Sequence, residues 1–125
     1  MAYFRSAVEA ARHRSVPIQP ATSDVSRYDA VILGCPVWAG AMASPMRSYI
    51  LRERAKFRQV GLFCTLGGSG GQATLDDMAQ LCHSVPLAEL QLTQAEMKGD
   101  GWLQDVDRFV ELIQARTMPL LPAAA

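Results

Sequence analysis

The sequence predicts an α/β domain built around an open parallel sheet. Two continuous apolar runs, residues 30–33 and 60–65, are each followed by a loop and then by a helix start. Consecutive strand–loop–helix units place their strands in parallel, with the helices as crossovers. The two loops, residues 35–44 and 65–73, then lie at the carboxyl edge of the sheet, where ligands bind in folds of this kind.

Length, charge and cysteine content restrict the class of protein. The 125 residues are half hydrophobic, enough for one packed domain, here predicted to span residues 1–116 with a frayed tail over 117–125. Zero net charge argues against nucleic acid as the main partner. No apolar run reaches the ~20 residues of a membrane span, and no metal-ligand spacing is present. Cys35, Cys64 and Cys82 lack CxxC spacing, which is typical of free thiols in a reducing, cytoplasmic setting.

The other elements follow from helical and strand periodicity. Ser44 and Pro45 are suited to cap and begin a helix. The capping-box pair Thr74 and Asp77 predicts the start of the next helix. Residues 87–93 alternate in the way of an edge strand. The remaining predicted segments are a first helix over residues 3–14, a short extended piece over 15–18, and a strongly amphipathic helix from residue 102.

The second loop has the composition of a ligand site. Gly67, Gly68, Gly70 and Gly71 permit positive φ and let a ligand approach the backbone closely, although a merely flexible loop has the same composition. Residues 68–73 also match a dinucleotide-binding pattern. The acidic residue that this use requires is absent from the end of the next strand, so the match is not favoured.

The first loop adds an aromatic side chain to this edge. Trp38 is either a lid on the core or a stacking surface for a planar ligand, and the second interpretation is favoured beside a glycine-rich loop. Cys35 and Cys64 fall at the same edge of the sheet. Both are interpreted as small buried thiols in preference to a redox pair.

Two stretches of the chain resemble the flavodoxin-like family. Residues 28–46, Tyr-Asp-Ala-Val-Ile-Leu-Gly-Cys-Pro-Val-Trp-Ala-Gly-Ala-Met-Ala-Ser-Pro-Met, resemble its middle strand, first flavin loop and helix start. Residues 62–71, Leu-Phe-Cys-Thr-Leu-Gly-Gly-Ser-Gly-Gly, resemble its second flavin loop. The resemblance implies a flavodoxin-like, three-layer αβα open parallel sheet of strand order 2-1-3-4-5, with FMN bound at the carboxyl edge. It places Trp38 near the flavin ring, and it assigns to the cofactor Cys35, Pro36, Val37, Trp38, Ala39, Gly40, Thr65, Leu66, Gly67, Gly68, Ser69 and Gly71.

The resemblance also implies a sheet that is incomplete at the N-terminus. The family begins with a strand and a phosphate-wrapping loop, and neither matches the start of this chain. FMN is therefore expected to bind little better than riboflavin. The gap beside residues 30–35 would be closed either by pairing with residues 15–18 or by a homodimer. The homodimer is favoured because Pro17 cannot donate to a strand ladder.

The implied function is redox chemistry with FMN. No general acid or base is apparent in the two loops, so no catalytic side chain is assigned, and the chemistry is the cofactor's own. Electron transfer to a redox partner protein and reduction of a small quinone-type acceptor are both compatible with the residues. The alternative is a non-enzymatic assembly or interaction module that has lost FMN.

Overall fold

The computed structural model describes residues 15–119. Its strands are β1 (Val31–Trp38), β2 (Ala41–Met42), β3 (Val60–Leu66) and β4 (Glu89–Thr93). Its α-helices are α1 (Ser44–Glu53), α2 (Gly71–Cys82) and α3 (Trp102–Arg116). Short 3₁₀ turns lie at Val25–Arg27, Arg54–Lys56 and Glu96–Lys98. The predicted helix over residues 3–14 lies outside the described residues.

The strands form one open, mostly parallel sheet in the order β2-β1-β3-β4. β1 and β3 pair in parallel, from Val31 opposite Val60 to Pro36 opposite Thr65, and β3 pairs in parallel with β4. The three predicted strands, their parallel direction and their order are thereby confirmed, and β4 lies at an edge as its alternation predicted. β2 was not predicted; it is a two-residue strand that pairs antiparallel with the end of β1.

Helices cover the sheet because alternate side chains of each strand enter different apolar clusters. Leu33 and Leu62 are buried together with Ile50 of α1 and with residues of α2. Phe63, the next residue along β3, packs instead against Phe109 of α3, with ring centroids 6.4 Å apart in an edge-to-face arrangement. Successive strand side chains point to opposite faces. α1 and α2 therefore bury one set of strand side chains and α3 buries the other.

Several element boundaries differ from the prediction. α1 begins at Ser44 itself, with Ala43 as its N-cap and no side-chain capping hydrogen bond, so the expected Ser44 cap was wrong. Two further changes affect the candidate site. β1 runs on to Trp38, so the first half of the predicted loop is strand. α2 begins at Gly71, three residues before the expected Thr74 cap, and Gly70 precedes it with a φ of 90°. Thr74 is almost completely buried, and its side chain makes no capping hydrogen bond. A glycine that adopts the left-handed conformation has replaced the side-chain cap.

Direct pairing of residues 15–18 with β1 was wrong. The Val16 N–H donates to Ser48 Oγ at 2.7 Å, and the Ser48 hydroxyl donates to the Val16 carbonyl at 2.6 Å. Ser48 lies in α1, so one helix side chain satisfies both backbone groups of Val16. Pro17, which has no N–H, then keeps the segment from extending as a strand.

The predicted frayed tail is held at its start. The Gln59 side-chain amide donates to the Met118 carbonyl, and the Met118 N–H donates to Gln59 Oε1, both at 2.9 Å. The same amide donates to the Asp29 carbonyl at 2.9 Å. Residues 120–125 lie outside the described residues. Within residues 15–119 no helix has the length and apolar character needed to cross a bilayer.

Candidate functional site

A cleft of about 290 Å³ opens at the carboxyl ends of the three parallel strands. β1 supplies one wall, the end of β3 and the loop after it supply the floor, and the segment after β4 supplies the other wall. The residues that line it are Pro36, Val37, Trp38, Thr65, Leu66, Gly67, Gln94 and Met97. None of these side chains is charged. The two stretches singled out in the sequence are thereby brought together at the predicted edge.

The other residues assigned to the cofactor lie around the cleft. Cys35 is in the core below it, and Gly71 is buried at the start of α2. Ala39 and Gly40 form the tight turn between β1 and β2, with φ values of 52° and 75°. A Cβ on Gly70 would lie 3.1 Å from the Gly40 Cα, so the two loops touch through their glycines. Gly68 and Ser69 are exposed on the loop that leaves the cleft.

Trp38 is a surface residue of the cleft. Its side chain is 51% exposed, which is incompatible with a role as a lid on the core. An indole held at the end of a strand with half of its surface in water presents an apolar face for stacking. The remaining interpretation of Trp38 is therefore a contact surface.

Within residues 15–119, no contact and no backbone angle requires a glycine at position 67 or 68. A Cβ at either position would meet no atom within 4 Å, and neither residue has a positive φ. Position 70, in contrast, requires glycine, because φ is positive there and because a Cβ would lie against Gly40. Among residues 15–119, the backbone N–H groups of Gly67, Gly68 and Ser69 donate no hydrogen bond. Open backbone with free donors is what a ligand that approaches the loop from outside would use.

Gln94 and Met97 are the cleft residues that the flavin-loop assignment missed. They follow β4, whose carboxyl end meets those of β1 and β3 because the strands are parallel. The Gln94 N–H donates to the Leu66 carbonyl at 2.9 Å, which fixes this segment against the floor. Applying the carboxyl-edge rule to the third predicted strand as well as the first two would have found them.

A polar network holds the glycine-rich loop against β4. Gln72, just after the loop, donates to Asp76 Oδ1 at 2.9 Å and to Glu89 Oε2 at 3.1 Å. Gln91 of β4 donates to Gln72 Oε1 at 3.1 Å, and its side chain packs on Gly71. These contacts fix where the loop leaves the sheet, so the open backbone at Gly67 has a defined position.

The three cysteines are free and buried, as predicted for Cys35 and Cys64, and burial extends to Cys82. The Cys35 thiol donates to the Met78 sulfur and the Cys64 thiol to the Gly71 carbonyl, both at 3.8 Å. Burial raises the pKa of Cys35, and it raises the pKa of Cys64 and of Cys82 to about 11. The neighbouring Cys35 contributes further to the raised pKa of Cys64. Protonated thiols are poor nucleophiles, so the sulfur chemistry of this core is inert near neutral pH.

We expect the stability of the protein to fall between pH 9 and 11. The unfolded chain releases its thiol protons near pH 9, whereas Cys64 and Cys82 in the folded chain keep theirs to about pH 11. The stability is full below pH 9 and is lost as the pH rises through this window, by at most ~2.7 kcal/mol for each thiol. Urea unfolding at successive pH values measures the slope. Cys82→Ala should reduce the slope, and equal slopes for both proteins would contradict the assignment.

Larger hollows elsewhere have less suitable linings. One of about 470 Å³ lies between the starts of α1 and α2, where Arg47 is paired with Asp77 at 2.6 Å. Another of about 520 Å³ is formed by polar side chains around Asp24 and Tyr28, away from the strand ends. Within residues 15–119 no group of His, Cys, Asp and Glu is arranged to hold a metal ion. The smaller cleft is therefore the candidate site because of its position and its lining.

The fold has a counterpart among solved structures. A flavoprotein from Lactobacillus acidophilus NCFM, solved in complex with FMN, matches with a TM-score of 0.57 and 20% sequence identity. The match covers 75% of this chain and 57% of that chain, so this chain spans little more than half the length of that flavoprotein. No protein-family model and no curated protein matches the sequence. The likeness shows a shared α/β fold.

Proposed function

We propose that this chain is a flavodoxin-like protein that binds FMN for electron transfer or for the reduction of a small quinone-type acceptor. The observation that carries the proposal is the open backbone of Gly67 and Gly68 beside the half-exposed Trp38. Free amides and an aromatic face in one cleft suit a planar group with carbonyl oxygens along one edge. The three-layer flavodoxin-like arrangement is part of this proposal, and the FMN-complexed flavoprotein of similar fold supports it.

The cleft residues fit the ring system of a flavin. The cleft volume of about 290 Å³ is close to the smallest volume usual for small-molecule sites, ~300 Å³. The uncharged lining imposes no charge on the ligand, and the isoalloxazine ring is itself uncharged. Pro36, Val37 and Trp38 would hold one side of the ring. The amides of residues 67–69 would hold its pyrimidine edge.

The chain contributes position and electrostatics, and the flavin when bound supplies one- and two-electron transfer. The polar side chains that line the cleft belong to Thr65 and Gln94, and neither is charged. These groups orient a ligand by hydrogen bonding. The openness of Trp38 leaves one side of the cleft accessible to water, and so to a redox partner protein or a small acceptor.

Titration of the protein with FMN and with riboflavin tests the proposal. Wild-type protein should bind both and quench their fluorescence. Trp38→Ala should raise both dissociation constants about two- to tenfold and relieve the quenching, because a stacked aromatic contact is worth ~0.5–1.5 kcal/mol. Tyr28→Ala is the matched control, since Tyr28 is 56% exposed and lines a different hollow. Tyr28→Ala should bind flavin as the wild type does.

Absence of binding for both flavins would contradict the proposal and favour the non-enzymatic module. Equal losses in the Trp38 and Tyr28 variants would show that the cleft is not the site. If binding is found, oxidation of NADPH in the presence of a quinone distinguishes a reductase from a carrier. A large preference for FMN over riboflavin would contradict the expectation that phosphate adds little.

A further inference from the structure

The outer edge of β1 presents backbone groups that no residue between 15 and 119 uses. The Val31 N–H donates to the Gln59 carbonyl at 2.9 Å, so the backbone N–H and C=O groups of Val31 point toward β3. Backbone groups of successive strand residues point to opposite sides, so those of Ile32 and Gly34 point away from β3. β2 pairs only with Val37 and Trp38. Within the described residues, the outward N–H and C=O groups of Ile32 and Gly34 have no hydrogen-bond partner.

Within residues 15–119, Pro36 and the two-residue strand β2 are the features that protect this edge from pairing. Sheet edges of monomeric proteins usually carry lysines or other charges, are very short, or are covered by a loop. Residues 30–40 contain no charged side chain, and Pro36 is the one residue there that resists pairing. The Ile32 side chain is 45% exposed. An uncharged strand with free backbone groups and an exposed isoleucine is a surface for strand addition.

We propose that a second copy of this chain pairs with the edge, β1 against β1 in antiparallel orientation about a two-fold axis. With the axis at Leu33, Ile32 of one copy faces Gly34 of the other. In an antiparallel ladder, residues directly opposite each other alternate between pairs that exchange two hydrogen bonds and pairs that exchange none. This register places Ile32 and Gly34 in the bonded pairs and Leu33 in the non-bonded pair. Every outward N–H and C=O of these two residues then has a partner.

The side chains suit the same register. Gly34 has no side chain, and the ring of Phe63 fills the space where its Cβ would be. An isoleucine directly opposite Gly34 would therefore meet an aromatic ring with no side chain between them. Ile32 and Gly34 alternate with Leu33, whose side chain is buried in the opposite cluster. The exposed apolar side chain of each copy thus falls next to an apolar surface of the other.

The charges around the edge do not oppose the pairing. With the axis at Leu33, Ala30 of one copy faces Pro36 of the other, and β2 already occupies the outer side of Val37 and Trp38, so the new ladder is limited to residues 30–36. These residues are uncharged, so no like charges face each other across the ladder. The two clefts would then lie at opposite ends of a continuous sheet. The proposal concerns a different surface from the cleft and stands whether or not a flavin binds.

Sedimentation equilibrium of the wild type and of Ile32→Pro tests the proposal. The wild type should show a monomer–dimer equilibrium. Proline at residue 32 removes an outward N–H and no β1–β3 bond, so the fold should persist while the dimer dissociation constant rises at least about tenfold. Ile32→Val, which keeps the N–H, is the matched control and should dimerise. Circular dichroism checks that each variant folds.

A second pair of variants and a second measurement cover the case in which proline disturbs the strand. Ile32→Lys should abolish the dimer, whereas Val85→Lys, at a site that is 90% exposed, should not. Hydrogen exchange should show that the amides of Ile32 and Gly34 become protected as the protein concentration rises. The proposal is overturned by a wild type that stays monomeric, by a dimer that survives Ile32→Lys, or by protection that does not depend on concentration.

Discussion

Gly34→Val is expected to destabilise the protein by ~3 kcal/mol or more, at the upper end of what overpacking costs. A Cβ at residue 34 would fall within the ring of Phe63 on the neighbouring strand. The ring cannot move away freely, because its other side packs on Phe109 of α3. The melting temperature should fall on the order of 10 °C, which thermal unfolding at one fixed protein concentration measures.

A double-mutant cycle with Phe63→Ala identifies the cause. If the clash with the ring produces the loss, Gly34→Val should cost at least ~1 kcal/mol less when the ring is absent. Gly99→Val is the matched control, because a Cβ at residue 99 meets nothing within 4 Å. It should change the unfolding free energy by less than ~0.5 kcal/mol. Additive effects of the Gly34 and Phe63 substitutions would show that some other contact limits residue 34.

Gly67→Val is expected to abolish flavin binding while leaving the stability of the free protein unchanged. The free chain has open space beside Gly67, so a valine there meets no protein atom within 4 Å of its Cβ. A ligand that approaches the backbone would be kept away by the added methyl groups. We expect at least a tenfold rise in the FMN dissociation constant, ~1.4 kcal/mol or more.

Comparison with Gly70 separates a ligand effect from a folding effect. Gly70→Ala should lower the unfolding free energy by ~1–2 kcal/mol, since Gly70 has a φ of 90° and touches Gly40. Gly67→Val should leave the unfolding free energy unchanged and weaken FMN binding. A Gly67→Val protein that binds FMN as the wild type does would remove the glycine-rich loop from the proposed site.

Local sequence pattern predicted the strands and helices better than their ends. The apolar runs that became β1 and β3 are long, and the amphipathic pattern from Trp102 is regular, so each decided its own structure. β2 depends on a turn in which Ala39 adopts a φ of 52°, a conformation that alanine rarely takes. No local signal announces such a turn. It forms because the flanking residues Val37 and Met42 pair across it.

The site was predicted where its residues belong to recognisable stretches, and it was missed where only the fold brings residues together. Three residues that stand out in the sequence line the cleft: the proline at 36, the tryptophan at 38 and the glycine at 67. Gln94 and Met97 are ordinary residues in sequence, and they reach the cleft because β4 lies parallel to β3. The expected pairing of residues 15–18 with β1 was wrong for a similar reason. The Ser48 hydroxyl, which binds the backbone of Val16, is 32 residues away in the chain.

The contact between Gln59 and Met118 determines how the molecule can be attached to a surface. Gln59 immediately precedes β3, and its amide joins the chain after α3 to the segment before β1. The exit of α3 is thereby fixed at the amino edge of the sheet, whereas the cleft lies at the carboxyl edge. An anchor placed after residue 119, on an electrode or a sensor chip, would hold the protein with its cleft directed outward. Ligand binding at the cleft could then be recorded from molecules in one orientation.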